Sequence, residues 1–136
     1  MRSTSGSGFA VGGREAGVYA AMDLLGQRWV LRVIWELEPG PLGFLELRRR
    51  MGNCSSSMLA DRLATLSQAE IVTKLPNKSY ELTSRGAQLG EALEHVWTWV
   101  DTHPGPLMQA ARDADAGVNA RRRTTPTRPG SRHSRD

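Results

Sequence analysis

The feature that most constrains this sequence is a pair of short amphipathic segments separated by a glycine turn. Residues 44–51 carry apolar side chains at helical spacing, and Gly52-Asn53 follows as a typical helix stop. Ser55 or Ser56 is a favourable helix N-cap, and the apolar periodicity after them predicts a second helix over residues 55–69. The inward ridge of this helix is formed by Leu59, Leu63 and Leu66.

A β-hairpin is predicted directly after the second helix. Residues 71–75 and 79–83 alternate apolar and polar side chains, and Pro76-Asn77-Lys78 joins them. Two helices around a tight turn, followed by a two-stranded hairpin, describe a winged helix-turn-helix. The predicted fold class is therefore mainly α with a small β-hairpin.

Long helices are predicted on both sides of this motif. The first spans residues 18–37 and stops at Pro39-Gly40-Pro41, and the other is capped by Thr83 or Ser84. These elements predict four regions: a flexible N-terminal tail (1–13), a winged helix-turn-helix domain for DNA binding and dimerisation (14–103), a weak C-terminal helix (104–115) and a disordered Arg-rich tail (116–136).

The distribution of charge is more informative than its total. The formal net charge is +4, but residues 121–136 contribute +5, which leaves residues 1–120 at −1. Within the body, residues 44–85 hold seven basic and four acidic side chains. A local positive patch on a nearly neutral domain is the electrostatic pattern expected of a nucleic-acid interface.

The second helix would present its small, polar side to a DNA major groove. Placing Leu59 inward puts Ser57, Asp61, Ala64 and Gln68 on the opposite side. The candidate DNA contacts are Ser55, Ser56, Ser57, Asp61, Arg62, Arg49, Arg50, Lys74, Asn77 and Lys78. The alternatives are that the serines only cap the helix, that the arginine run is a solvated face, and that Arg62 forms a structural ion pair.

Other kinds of site have weaker support. A cleft between the terminal helices could hold a small flat aromatic effector, with candidate lining residues Tyr19, Trp29, Trp97 and Trp99. The only cysteine, Cys54, is read as a buried filler. The loose spacing of His95, Asp101 and His103 does not favour a metal site.

No catalytic constellation, cofactor motif, membrane span or signal peptide is evident, so we expect a cytoplasmic protein that is not an enzyme and needs no cofactor.

Residues 16–103 resemble the HxlR-type winged helix-turn-helix transcriptional regulators, which are related to the MarR regulators. The most specific motifs are Asp23-Leu-Leu-Gly26 with Trp29, the Met58-Leu59…Arg62-Leu63…Leu66 frame, and Tyr80-Glu-Leu-Thr83 followed by Gly86. The resemblance implies a dimeric bacterial regulator whose first and last long helices pack across a two-fold axis.

The sequence departs from the family pattern at three places. Ala16 stands where many HxlR-type sensors carry a redox-active cysteine, so a thiol switch of that kind is not expected. The wing, which is the predicted hairpin, is short, because only residues 76–79 form its loop. Asp61 replaces an amide side chain that is common in the family. A carboxylate near phosphates is unfavourable unless it accepts from a cytosine amino group or pairs with Arg62 or Lys74.

Two functional hypotheses follow. The first is a homodimeric, sequence-specific regulator that binds a double-stranded DNA operator, with or without a small aromatic effector. The alternative is a winged-helix protein repurposed to bind an aromatic metabolite or a protein partner, with reduced DNA binding. Asp61, the short wing and the charge of −1 on residues 1–120 favour the alternative.

Overall fold

The computed structural model of the chain describes residues 13–124. The elements are α1 (Gly13–Leu25), α2 (Val30–Leu37), α3 (Phe44–Arg50), α4 (Ser56–Gln68), β1 (Val72–Lys74), β2 (Tyr80–Leu82), α5 (Ser84–Thr102) and α6 (Pro104–Thr124). The chain divides into two compact units, one that ends at Leu93 and one that begins at Glu94. The predicted winged helix-turn-helix, mainly α with a small hairpin, is confirmed.

The single helix predicted over residues 18–37 is wrong, because the chain turns between α1 and α2. The Gly26 N–H donates to the Met22 carbonyl at 2.8 Å, and a Cβ at position 26 would lie 2.8 Å from the same oxygen. Trp29 then adopts a left-handed conformation (φ 77°) immediately before α2 begins. We call residues 26–29 the α1–α2 turn.

The hydrophobic core of the first unit lies among α2, α3, α4 and β1. It is formed mainly by Val30, Val33, Ile34, Leu37, Leu47, Met51, Leu59, Leu63, Leu66 and Val72. The ridge predicted for the second helix of the motif is therefore confirmed. In contrast, α1 contains no buried residue.

The predicted hairpin is confirmed, with shorter strands than expected. β1 and β2 are antiparallel, and Val72 pairs with Leu82 and Lys74 with Tyr80. Leu42 adds a further bridge to Tyr80, with backbone hydrogen bonds of 3.0 and 2.8 Å. This bridge attaches the segment between α2 and α3 to the hairpin.

Of the two residues predicted to cap α5, Thr83 and Ser84, it is Thr83 that forms the cap. Its Oγ1 accepts a hydrogen bond from the Gly86 N–H at 3.0 Å and donates to the Glu70 carbonyl at 2.6 Å. Gly86 approaches the residue before β1 so closely that a Cβ at position 86 would lie 2.1 Å from the Ile71 carbonyl oxygen. The first turn of α5 is therefore fixed directly against the chain entering the hairpin.

In the second unit, the C-terminal helix is longer than the sequence predicts. α6 begins at Pro104 and has 21 residues, so it includes residues 116–124, which the sequence pattern assigns to the disordered tail. Alanine and arginine are frequent there and are strong helix formers, which explains the extension. The rest of that tail (125–136) and residues 1–12 of the N-terminal tail lie outside the described residues. Between residues 13 and 124, no helix has both the length and the apolar character of a membrane span.

Candidate nucleic-acid interface

The turn between α3 and α4 is held by an arginine side chain. Arg48 Nε donates to the Cys54 carbonyl oxygen at 2.6 Å. Gly52 and Asn53 have φ values of 70° and 57°, and the Asn53 N–H donates to the Arg48 carbonyl at 3.0 Å. The Cys54 side chain is buried beside this turn. Arg48 therefore connects the end of α3 to the residue that precedes the N-cap of α4.

The three serines have different roles at the N-terminus of α4. Ser55 is the N-cap, since its Oγ accepts from the Met58 N–H at 3.3 Å. Ser55 Oγ also lies 2.9 Å from Ser57 Oγ. Ser56 and Ser57 are exposed. Hydroxyl and N–H donors at the positive end of a helix are suited to bind a phosphate oxygen.

The side of α4 opposite its buried ridge carries short or polar side chains. Ser57, Asp61, Ala64 and Gln68 are all exposed in the part of the chain that the structure describes. A major groove is wide enough to admit a helix that presents such a surface. We call these four residues the outer face of α4.

Asp61 and Arg62 form a connected pair on α4. Arg62 Nη1 lies 2.8 Å from Asp61 Oδ2, and Arg62 Nε donates to the Arg28 carbonyl oxygen at 2.8 Å. Of the two partners predicted for Asp61, the structure pairs it with Arg62. Arg62 thus joins α4 to the α1–α2 turn, where the Arg28 guanidinium lies 5.4 Å from the centre of the Trp29 ring.

The remaining arginine candidates lie on α3. Arg49 and Arg50 both pair with Glu46, and the side chains of the two arginines are 72% and 46% exposed. The Arg50 carbonyl accepts from Arg32 Nη2 at 2.8 Å. Such exposed pairs are weak, so both guanidinium groups remain available to a phosphate.

The hairpin places two lysines at the surface. Lys74 Nζ lies 5.6 Å from the centre of the Tyr80 ring, and Lys78 is exposed with φ 69°. Asn77 has a structural role at the tip, because its Oδ1 accepts from both the N–H and the Oγ of Ser79. The hairpin therefore offers two cations, Lys74 at the end of β1 and Lys78 on the short loop that follows.

The four aromatic candidates for an effector site fall in different units. Tyr19 (58% exposed) and the half-buried Trp29 belong to the first unit. Trp97 (half-buried) and Trp99 (61% exposed) belong to the second. Trp29 lines an open cavity of about 380 Å³ at the α1–α2 turn.

Sequence reasoning missed the residues that position the interface. The Arg28 carbonyl accepts a hydrogen bond from Arg62. The guanidinium groups of Arg48 and Arg32 donate to the backbone carbonyls of Cys54 and Arg50, respectively. Gly26, inside an apolar helical pattern, was the available signal for the turn at Arg28, because glycine costs about 1 kcal/mol in a helix interior. The other two bonds have no local sequence signal.

Comparison with known proteins decides the family. A sequence profile described as HxlR-like helix-turn-helix matches residues 24–107. This chain belongs to the HxlR-like helix-turn-helix family. Among its relatives is the HTH-type transcriptional regulator YodB of Bacillus subtilis (strain 168), which is 36% identical over 88 residues that cover 60% of this chain and 79% of YodB.

Solved structures agree with the HxlR assignment. The crystal structure of quinone-bound YodB from B. subtilis superposes with a TM-score of 0.60 at 35% identity, covering 63% of this chain and 96% of YodB. A MarR-family regulator from Enterococcus faecalis V583 shares the fold, with a TM-score of 0.59 at 24% identity, covering 78% of this chain and 99% of the other. The protein is therefore a transcriptional regulator of the HxlR type with a DNA-binding helix-turn-helix.

Proposed function

We propose that this protein is a homodimeric transcriptional regulator that binds a specific double-stranded operator by inserting α4 into the major groove. The outer face of α4 is the single observation that carries the proposal, since four small or polar residues stand opposite a fully apolar ridge. The Arg48 bond to Cys54 fixes the turn, so this face is presented on a rigid support.

The proposed contacts divide into base edges and phosphates. Ser57 and Asp61 are assigned to base edges because they lie on the outer face of α4, and Ser56 because it is exposed in the first turn of the helix. The phosphate contacts are Arg49, Arg50, Lys74 and Lys78. Three of the other candidates are engaged within the chain: Ser55 as N-cap, Asn77 in the hairpin loop, and Arg62 with Arg28 and Asp61.

A homodimer is supported by α1, which has no buried residue although it is rich in apolar side chains. Val18, Tyr19 and Met22 are 43%, 58% and 59% exposed. Covering this surface with a second copy would remove it from water. Two α4 helices related by a two-fold axis would bind half-sites about one helical turn apart, or a multiple of that distance.

DNase footprinting on the upstream region of the gene tests the proposal. The expected result is a protected inverted repeat at protein concentrations that leave unrelated DNA unprotected. A Ser57→Glu variant should lose the protection, because the new carboxylate would face the phosphates. Gly105→Ala, a change in α6 whose Cβ meets nothing within 4 Å, is the matched control and should keep it. A uniform cleavage pattern with the parent protein would contradict operator binding.

An effector is the second part of the proposal. A quinone is bound in one YodB structure, and Trp29 lines the cavity at the turn that Arg62 joins to α4. Titration with a quinone should change the tryptophan fluorescence of the parent and have less effect in Trp29→Phe. Equal effects in both proteins would exclude Trp29 from the effector site.

The repurposed winged helix is kept as a second candidate. It is favoured by Asp61, whose carboxylate is 69% exposed on the face that would meet DNA, and by the charge of −1 on residues 1–120. The footprint and the quinone titration together distinguish the operator-binding regulator from the repurposed winged helix. No protected site, combined with saturable binding of the quinone, would favour this second candidate.

A further inference from the structure

The outer face of α4 contains a single carboxylate, whose charge is balanced within the helix. An isolated carboxylate would be repelled by DNA phosphates. The bond between Asp61 Oδ2 and Arg62 Nη1, at 2.8 Å, makes the pair neutral. The cost of bringing Asp61 to the duplex is thereby reduced without removing its ability to accept hydrogen bonds.

Arg62 is itself fixed in position by a second bond. Its side chain is only 20% exposed, and its Nε donates to the Arg28 carbonyl at 2.8 Å. A guanidinium is planar, so two bonds from different nitrogens define the orientation of the whole group. The Asp61 carboxylate is therefore held relative to both α4 and the α1–α2 turn.

Resting on the proposed DNA binding, we propose that Asp61 is a specificity-determining residue that reads a cytosine, and that Arg62 is the positioning residue that orients its carboxylate. A carboxylate only accepts hydrogen bonds, and it has about four acceptor sites, of which Arg62 takes one. In the major groove, cytosine presents the N4 amino donor, whereas guanine and thymine present acceptors. Adenine has an amino group beside the N7 acceptor, which repels a carboxylate.

Selection from a randomised DNA duplex library identifies the base that Asp61 contacts. The selected duplex and its single-base-pair variants are then labelled, and their dissociation constants measured by fluorescence anisotropy. The parent should prefer cytosine at one position of each half-site by about tenfold or more. Asp61→Asn should lose that preference and favour adenine at the same position, because an amide pairs with adenine N6 and N7.

Arg62→Gln tests the positioning role. It should reduce the cytosine preference severalfold while the preferences at other positions stay as in the parent. A merely structural role would lower the melting temperature without changing the base preference. Glu46→Gln is the matched control, since Glu46 is also a surface carboxylate paired with arginine, and it should keep the cytosine preference.

The outcomes separate the inference from the proposed function. If the parent selects a defined sequence and Asp61→Asn selects the same one, the assignment of Asp61 is overturned while DNA binding stands. An unchanged cytosine preference in a folded Arg62→Gln variant would overturn the positioning role. If the parent selects no sequence at all, the inference and the proposed function both fail.

Discussion

Three consecutive arginines at the end of α3 have different environments. Arg48 donates to the Cys54 carbonyl, and Arg49 pairs with Glu46 at the surface. Arg50 also pairs with Glu46, and its backbone carbonyl accepts from Arg32. Helical spacing predicts that these side chains point in different directions. Which of the three arginines supports the turn between α3 and α4 depends on which backbone carbonyl its guanidinium contacts.

Replacing Arg48 by methionine should destabilise the protein and weaken DNA binding indirectly. Loss of a charged donor from the Cys54 carbonyl should cost about 1–3 kcal/mol in the free energy of unfolding, measured in urea. The salt dependence of DNA affinity should stay the same, because no phosphate contact is removed.

Arg49→Met is the matched control for Arg48→Met. We expect a change in the free energy of unfolding within about 0.5 kcal/mol, because surface ion pairs contribute little. The salt slope should fall by about one unit, since Arg49 is proposed to contact a phosphate. The reverse pattern, a stable Arg48→Met and an unstable Arg49→Met, would contradict the assignment of Arg48 to the turn.

Gly86→Ala should be strongly destabilising. The added Cβ would lie 2.1 Å from the Ile71 carbonyl oxygen, so α5 or the hairpin must shift. Overpacking of this kind costs about 1–3 kcal/mol, which thermal or urea unfolding would detect. Gly17→Ala is the control, because its Cβ meets nothing within 4 Å and the change favours the helix. Equal stability of the two variants would show that the contact at Gly86 is not tight in solution.

At the scale of elements, the hairpin and α4 form two separate parts of the interface. α4 contributes the groove-facing surface, and the hairpin contributes Lys74 in β1 and Lys78 on the loop that Asn77 stabilises. Leu42 ties β2 to the segment before α3, so the hairpin is fixed to the rest of the first unit. The wing is therefore expected to contact the DNA backbone without first becoming ordered.

Lys74→Ala combined with Lys78→Ala should weaken binding to every DNA sequence alike. Each lost phosphate contact should reduce the slope of log K against log salt by about 0.9, as measured by anisotropy titrations at several salt concentrations. Arg14→Ala with Arg112→Ala removes the same charge from α1 and α6 and should leave the slope nearly unchanged. If both double variants behave alike, the wing has no specific phosphate contacts.

At the scale of the whole molecule, exposed apolar surface on each unit indicates association. In the first unit, α1 exposes Val18, Tyr19 and Met22. In the second, Trp99 and Met108 are 61% and 56% exposed. Exposed apolar patches of this kind mark interaction surfaces, which agrees with the proposed homodimer.

Tyr19→Lys combined with Met22→Lys should shift the protein from dimer to monomer. Two buried charges at an apolar interface are costly, and sedimentation equilibrium would report the change in mass. Leu45→Lys is the control, because Leu45 is 76% exposed on α3 and a lysine there should not affect association. A parent that sediments as a monomer would contradict the dimer itself.

The sequence by itself determined the order of helix, turn, helix and hairpin, a serine N-cap at position 55 or 56, and the buried ridge of α4. These features depend on local periodicity and capping, which nearby residues specify. Gly26 was a local signal for the α1–α2 turn, but only the tertiary structure decided the roles of Arg48 and Arg62. Their partners are backbone carbonyls, which every residue carries, and in the case of Arg62 the partner lies 34 positions away. Side-chain identity cannot show which carbonyl a guanidinium will meet until the chain has folded.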